Sequence, residues 1–453
     1  MALNAIANVF RVAELRTRLI YTLALLAVYR LGIFITTPGV DRAAMNAFME
    51  AQRAKGSLVN LFNLFSGGAL EQMSIFGLGI MPYVSASIIM QLLAVVVPTF
   101  ERLQKEGAGG RQKINQYTRY GTILLSVVQG VGIARYLVNI GRGSTQQKTG
   151  LDQIVVSDHS ALGTGILFTV MTVVSLAAGT AFIMWLGERI TERGIGNGIS
   201  LIIFAGIVAR MPSYFKQLYD LTDSGSINPG VVVALAVFML MLVMTVVYME
   251  KGMRRLPVQY AKRMAGRGMF AGQATYFPMK VNTSGVIPPI FAGALLSFPA
   301  TLVKVLPFMA AVERFEGNIW IYNGLFVALI VFFTYFYTAL TFRPDDVADN
   351  IKKQGGYIPG IRPGRQTADF IERVLNRITF GGAIYLAVIC VIPSVITNLM
   401  GVPFPYGGTA ILIVVGVALD TVQQIEGHLI SRNYEGFAGP RGPRIRGRMA
   451  RAA

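Results

Sequence analysis

The sequence predicts an all-α membrane protein with about ten transmembrane helices. Hydrophobic residues make up 53% of the 453 positions and charged residues only 14%, and the mean hydropathy is +0.53. Soluble domains carry about 25% charged residues, so lipid is the expected solvent for much of this chain. Apolar runs of roughly 20 residues recur along the sequence, and basic residues concentrate in alternate loops.

The apolar runs place the helices. A helix needs roughly 20 mostly apolar residues to cross a hydrocarbon core about 30 Å thick. Runs of about this length lie at 19–35, 75–97, 117–138, 162–186, 199–215, 231–249, 286–306, 319–340, 378–400 and 404–425. With the N-terminus in the cytoplasm, roughly 30 Lys and Arg fall on the cytoplasmic side and roughly 10 outside, which is the positive-inside asymmetry. Both termini are therefore predicted to be cytoplasmic.

The spans divide into two halves of five. We expect a cytoplasmic N-terminal segment, a first half, an external hinge loop, a second half and a cytoplasmic tail at residues 1–18, 19–215, 216–230, 231–425 and 426–453. The first segment has no apolar block, so it is not a cleavable signal. Because each half has an odd number of spans, halves with one fold would have opposite orientations, an inverted repeat with a pathway at the interface.

A short apolar segment precedes the second span. Leucines and phenylalanines recur there at helical spacing between two asparagines, and a Ser-Gly-Gly sequence follows. The segment, residues 58–70, is too short to cross a membrane. A half-helix at membrane depth requires protein or a water-filled cavity around it. An external amphipathic loop is the alternative that the residues alone leave open.

Two basic cytoplasmic loops, residues 250–281 and 343–377, carry more charge than topology requires. In the first, residues 255–261 and 273–281 have the composition of hairpin strands, with a turn at 265–272. Such a hairpin is suited to RNA phosphates or an acidic protein surface. The alternative is a solvated loop at an anionic membrane surface. The tail at 439–453, rich in Arg, Gly and Pro, is expected to be disordered and to bind anionic lipids.

The sequence offers little for covalent chemistry. His159 and His428 have no partners at metal-ligand spacing, and the glycines of residues 194–198 do not match a phosphate loop. Cys390 is the single cysteine. We therefore expect no catalytic residue, cofactor or metal site, and no enzyme activity.

Charge within the spans separates the remaining classes of function. Ion-coupled transporters usually need ionisable groups near the midplane of the membrane. The predicted spans of this sequence nearly lack such groups, and Arg30 is the exception. Glu71 is expected in the outer linker after the half-helix. A passive conduit with a dry hydrophobic gate suits this pattern better. A small-solute secondary transporter and a docking protein without a pore are the alternatives.

Several ordered motifs carry a family resemblance. They include FNLFSGGALEQMSIFGLGIMPYVSASIIMQLL at 62–93, MWLGERITERGIGNGISLIIFAGIVA at 184–209, VNTSGVIPPIFA at 281–292, ADNIKKQGGYIPGIRPG at 348–364 and PFPYGGTAILIVVGVALD at 403–420. By these blocks, which follow the family's order over nearly the whole chain, the sequence resembles the SecY family, the channel subunits of the bacterial protein-export translocase.

The resemblance implies a clamshell of two inverted halves with an hourglass pore, a plug, and a lateral gate formed by the second and seventh spans with contributions from the third and eighth. The implied constriction is a ring of branched apolar residues: Ile80, Val84, Ile199, Ile203, Ile290 and Ile413. The implied plug contains Leu58, Asn60, Leu61, Phe62, Asn63, Phe65, Ser66, Gly67 and Gly68. The implied gate residues are Ser85, Ser87, Gln91, Thr283, Pro288 and Pro289. The two prolines are expected to loosen the seventh span, because each removes a backbone donor.

Partners follow from the same resemblance. It implies small membrane subunits of the SecE and SecG type, a SecA-type ATPase motor, the ribosome and its RNA, and the signal sequences of preproteins. Docking of the motor and ribosome is assigned to basic positions in the two loops: Lys262, Arg263, Arg267, Lys352, Lys353 and Arg362. Gly268 stands where the family usually has a second arginine. The implied location is the bacterial cytoplasmic membrane, and the implied activity is passage of unfolded preproteins and sideways release of apolar segments into lipid.

Overall fold

The fold is known from a computed structural model. It describes residues 12–42, 45, 66–143, 166–225, 227–260, 264–265, 268–269, 274–303, 319–400 and 407–438. Helices dominate the described residues. Those of the first half are α1 Ala13–Gly32, α2 Met81–Val96, α3 Pro98–Lys105, α4 Ala108–Gly143, α5 Ile166–Arg193, α6 Gly198–Val208 and α7 Met211–Asp223.

The second half contains both helices and strands. Its helices are α8 Pro229–Lys251, α9 Ile287–Val303, α10 Ile319–Thr341, α11 Pro344–Lys353, α12 Arg365–Met400 and α13 Gly408–Ala438. Its strands are β1 Met253–Tyr260, β2 Met264–Ala265, β3 Gly268–Met269, β4 Ala274–Lys280 and β5 Gly356–Tyr357.

A helix stands at each predicted span, which confirms the all-α membrane class. Among the described residues, seven helical stretches are long and apolar enough to cross a membrane, or eight if α2 and α3 are taken as one bent span. That pair bends by 102° at its break. The helix α1 and the helix α9 do not meet this length and hydropathy criterion, so the count of ten crossings stays a prediction.

Helix neighbours repeat between the halves. In the first half α2 packs on α4, α4 on α5, α5 on α6, and α1 on both α5 and α6. In the second half the corresponding pairs are α9 with α10, α10 with α12, α12 with α13, and α8 with both α12 and α13. The two halves meet where α9 contacts α2 and α4, and again where α13 contacts α6. Two five-helix units with the same internal arrangement therefore pack against each other at a common interface.

The two basic loops form one lobe. The strands β1 and β4 pair antiparallel, with Leu256 opposite Phe277, and β5 from the second loop pairs with the other edge of β1. The predicted hairpin is confirmed, but the predicted turn at 265–272 contains a further small pairing of β2 with β3. An apolar core unites the lobe through Leu256, Val258, Met279, Ile351, Ile358, Ile371 and Leu375.

Three helix ends differ from the ends of the predicted spans and loops. The second span was expected from residue 75, but residues 66–80 lie in turns with one bridge and α2 begins at Met81. Much of the expected external loop at 216–230 is helical, because α7 continues to Asp223. The last helix continues past residue 425 to Ala438. The predicted disordered tail at 439–453 lies outside the described residues.

Candidate functional site

Four helices carry the ring positions. Ile80 is the N-cap of α2 and Val84 lies one turn later. Ile199 and Ile203 are likewise one turn apart on α6, so each pair presents one face. The other two positions, Ile290 and Ile413, come from α9 and α13 in the second half. Two helices from each half thus supply the six side chains.

All six side chains belong to one apolar cluster in the interior. Ile80, Val84, Ile203 and Ile413 are buried, with exposed fractions of 2%, 6%, 2% and 0%. Ile199 and Ile290 are partly buried and pack against the same cluster. The structure therefore brings together residues that are separated by up to 333 positions in the sequence. None of these six side chains carries a polar group, so water would have no hydrogen-bonding partner among them.

The start of α6 is fixed by a polar cap. The side-chain oxygen of Asn197 accepts hydrogen bonds from the backbone N–H groups of Ile199 and Ser200, at 3.1 and 3.5 Å. An N-cap satisfies donors that have no partner within the helix. The cap places the first turn of α6, and with it Ile199, at the interface between the halves.

Residues 66–80, which we call the turn segment, lead into this ring. The predicted plug residues before Ser66 lie outside the described residues, and residues 66–70 are turns rather than the predicted helix. Gly67 and Gly68 have φ values of +64° and +90°, a left-handed region that side chains disfavour. A β-carbon at Gly67 would lie 2.7 Å from the α-carbon of Gly206 on α6. The two glycines thus allow both the turn and its close contact with α6.

Side chains from α1 and from the short link between α6 and α7 hold the turn segment. The hydroxyl of Tyr29 donates to the Ser66 carbonyl at 3.2 Å, and Nη1 of Arg30 donates to the Gly67 carbonyl at 3.3 Å. Glu71 forms an ion pair with Arg210, which lies between α6 and α7. Arg30, the charged residue that was predicted to lie within a span, therefore donates a hydrogen bond to a neighbouring backbone carbonyl.

The predicted gate helices lie side by side. The helix α9 contacts α2 and α4, so the second, third and seventh spans are neighbours. Ser85 is buried in α2, and the Gln91 amide donates to the Ser87 hydroxyl at 3.2 Å. Thr283 precedes α9 and donates to the Lys280 carbonyl at 3.0 Å.

The prediction that two prolines loosen the seventh span is wrong. Pro288 and Pro289 occupy the second and third positions of α9. Amide groups in the first turn of a helix have no intrahelical acceptor, so proline removes no helical hydrogen bond there. Both prolines are compatible with a stable helix start.

The docking positions are only partly described. Lys352, Lys353 and Arg362 are exposed, and they come from the second of the two basic loops that form the lobe. Lys262, Arg263 and Arg267 lie outside the described residues. In the part of the chain that the structure describes, no group of three His, Cys, Asp or Glu side chains could hold a metal ion.

Sequence reasoning missed Arg210. Arg210 lies inside the predicted span 199–215, yet Arg30 was the only charged residue singled out as lying within a span. The signal was present, since an arginine follows the apolar run of α6 and a carboxylate follows the Gly-Gly turn. Their pairing joins residues 139 positions apart, which the sequence alone does not reveal.

Known proteins resemble this chain over nearly its whole length. The family model described as SecY matches residues 74–422. The SecY protein translocase subunits of Vibrio cholerae and Escherichia coli K12 are each 45% identical to this chain. Both alignments cover 93% of this chain, and they cover 94% and 93% of the two relatives, respectively. The corresponding subunit of Aquifex aeolicus is also 45% identical, with 94% of this chain and 97% of that protein covered.

Solved structures support the fold. A structure of a protein-conducting channel has a TM-score of 0.60 at 18% identity, covering 93% of this chain and 94% of that one. A Sec61 structure from a canine ribosome–channel complex of the endoplasmic reticulum has a TM-score of 0.58 at 17% identity, with the same coverage. On the family match and the 45% identity of full-length relatives, the chain belongs to the SecY family of protein translocase subunits.

Proposed function

We propose that this chain is the central channel subunit of a bacterial Sec translocase, which passes unfolded preproteins outward and releases transmembrane segments sideways into lipid. The observation that supports this proposal is that the six proposed ring residues, branched apolar side chains on four helices of both halves, all belong to one interior apolar cluster. Such a ring excludes water and ions, and its side chains can yield around a passing chain of any sequence. The comparisons favour protein conduction over the small-solute transporter that composition left open.

The plug and the gate complete the proposed path. The turn segment enters α2 at Ile80, so displacing the plug pulls directly on a ring position. The contact of α9 with α2 and α4 is the proposed exit for signal sequences and apolar segments toward lipid. Opening there separates the two halves without breaking the internal contacts that each half repeats.

The proposed partners bind on two sides of the channel. Exposed basic groups on the cytoplasmic lobe suit a SecA-type motor or ribosomal RNA phosphates. One structural relative is a Sec61 channel in a ribosome complex, which supports ribosome docking for this chain. Small SecE- and SecG-type subunits and anionic lipids are proposed for the membrane-facing surface. The proposed location is the bacterial cytoplasmic membrane, with both termini in the cytoplasm.

The ring assignment is tested by ion leak. Replacing Ile80, Ile199, Ile290 and Ile413 together by Ser should admit water to the constriction and raise potassium efflux from reconstituted vesicles by about tenfold or more. Leu240, exposed on α8, is the matched control position, and Leu240→Ser should leave efflux unchanged. Efflux at the wild-type level from the four-residue variant would contradict the assignment.

A further inference from the structure

A partly buried ion pair joins the turn segment to the ring helix. Glu71 lies in the turn segment, and Arg210 follows α6 as the N-cap of α7. Their side chains are only 14% and 11% exposed. The guanidinium of Arg210 packs against Gly68. A β-carbon built on Gly68 would lie 3.2 Å from that guanidinium. The pair therefore sits at the point where the turn segment crosses the end of α6.

The surroundings of Arg210 make the stability of its buried charge depend on the ion pair with Glu71. Its guanidinium carbon lies 5.3 Å from the centre of the Tyr214 ring, a cation–π distance. Its Nη1 is buried and has no hydrogen-bond partner among the described residues. Removing one member of a poorly solvated ion pair leaves the other charge uncompensated, which costs far more than the loss of an exposed pair.

The pair also connects the two elements that must separate when the channel opens, namely the turn segment and α6. Ile203, a ring position, lies on α6 seven residues before Arg210, and Ile80 ends the turn segment. If the turn segment leaves α6, the pair separates and each charge must be hydrated. In a water-filled outer funnel that hydration is available, so separation is costly but reversible.

We propose that the Glu71–Arg210 ion pair is a latch that holds the turn segment in its closed position and sets the free-energy cost of opening. The proposal rests on the proposed channel function. In it, Arg210 is a positioning residue that acts on the ring through the turn segment. Tyr29 and Arg30 bind backbone carbonyls of the same segment, whereas Glu71 supplies the side-chain charge on which the latch depends.

The test is a double-mutant cycle on the full chain in vesicles. Arg210→Gln and Glu71→Gln should each raise potassium efflux about tenfold, equivalent to about 1.4 kcal/mol in the closed–open equilibrium. Because both substitutions break one interaction, the double variant should leak no more than the leakier single variant. Arg189→Gln, which breaks an exposed pair with Glu192, is the matched control and should not leak.

A normal amount of assembled channel in the membrane is the folding control for each variant. If Arg210→Gln fails this control, Glu71→Gln carries the test with the same expected leak. Wild-type efflux from both single variants, or efflux that multiplies to about a hundredfold in the double variant, would overturn the latch. The four-residue ring variant is measured in parallel. If it leaks while the latch variants stay tight, the latch alone is wrong; if it stays tight, the proposed pore is wrong.

Discussion

Arg362, a proposed docking residue, combines a held backbone with an exposed side chain. It lies in the segment between β5 and α12, its side chain is exposed, and its backbone carbonyl accepts a hydrogen bond from the Thr367 hydroxyl at 2.9 Å. The backbone is thus held by the start of α12 while the guanidinium remains available. Arginine suits phosphate and carboxylate partners, because its planar group donates two parallel hydrogen bonds.

Reversing this charge should affect docking and leave the fold intact. Arg362→Glu replaces an exposed cation, so we expect normal amounts of channel in the membrane and a loss of motor-driven export of about tenfold or more. Export of a preprotein into inverted vesicles by an added SecA-type motor measures this. Lys216→Glu makes the same charge change on the exposed face of α7 and should export normally. Equal export by the two variants would contradict a docking role for Arg362.

At the residue scale, what could be predicted depended on the kind of interaction. Composition alone gave no reason to choose Ile203 over a neighbouring isoleucine of α6, and the family motifs supplied the ring positions. The Glu71–Arg210 pair could not be predicted, because one sequence contains no information about which distant charges meet. Asn197 was recognised only as part of a glycine-rich stretch, whereas the structure shows it capping α6.

At the element scale, the lobe formed by the two basic loops is the clearest addition to the sequence prediction. The hairpin was predicted from β-branched and aromatic content, but its third strand, β5, comes from the other basic loop. Leu256 is 4% exposed in the core that joins them. The two loops therefore form one folded unit, which is the proposed docking surface.

Removing this core side chain should unfold the lobe locally. Leu256→Ala deletes buried methyl groups and should cost about 2–5 kcal/mol of lobe stability. We expect limited proteolysis to cut within residues 253–280 much faster than in the wild type, with the membrane helices still protected. Tyr276 on β4 is 59% exposed, so Tyr276→Ala is the control and should keep wild-type resistance. Resistance of both variants would argue against a shared core.

Helix positions were predictable from apolar runs, and their ends were not. Each run contains a helix because lipid and the interior both require backbone hydrogen bonds to be satisfied locally. The start of α2 was misplaced, because the turn segment is apolar yet contains glycines in left-handed conformations. The end of α13 was misplaced, because a polar helix can extend beyond the membrane without any hydropathy signal.

At the scale of the whole molecule, the repeated neighbour pattern explains how a rigid protein can open. Contacts within each half are extensive and equivalent, and the halves meet at α9 with α2 and α4 and at α13 with α6. The ring residues lie on α2, α6, α9 and α13, the helices that form these contacts. Motion of one half against the other would change the ring diameter without disrupting either half.

The two-half plan was inferred from an odd count of spans per half, and no sequence repeat supported it. The structure supplies the evidence in the contact pattern instead. The same helix neighbours occur in both halves, so the repeat is visible in the structure although no repeat is visible in the sequence. The interface between halves could be anticipated from topology, but the contacts that hold the turn segment within the first half could not.

The most direct test of the account places a crosslinker inside the ring. Ile203 is 2% exposed at the centre of the cluster, and the buried Cys390 is first replaced by Ser to leave a cysteine-free background. With Ile203→Cys, a preprotein stalled during export should crosslink to position 203, and the crosslink should disappear when the chain is released. Efficient export without a crosslink at position 203 would mean that the polypeptide takes another path, which would contradict the central claim.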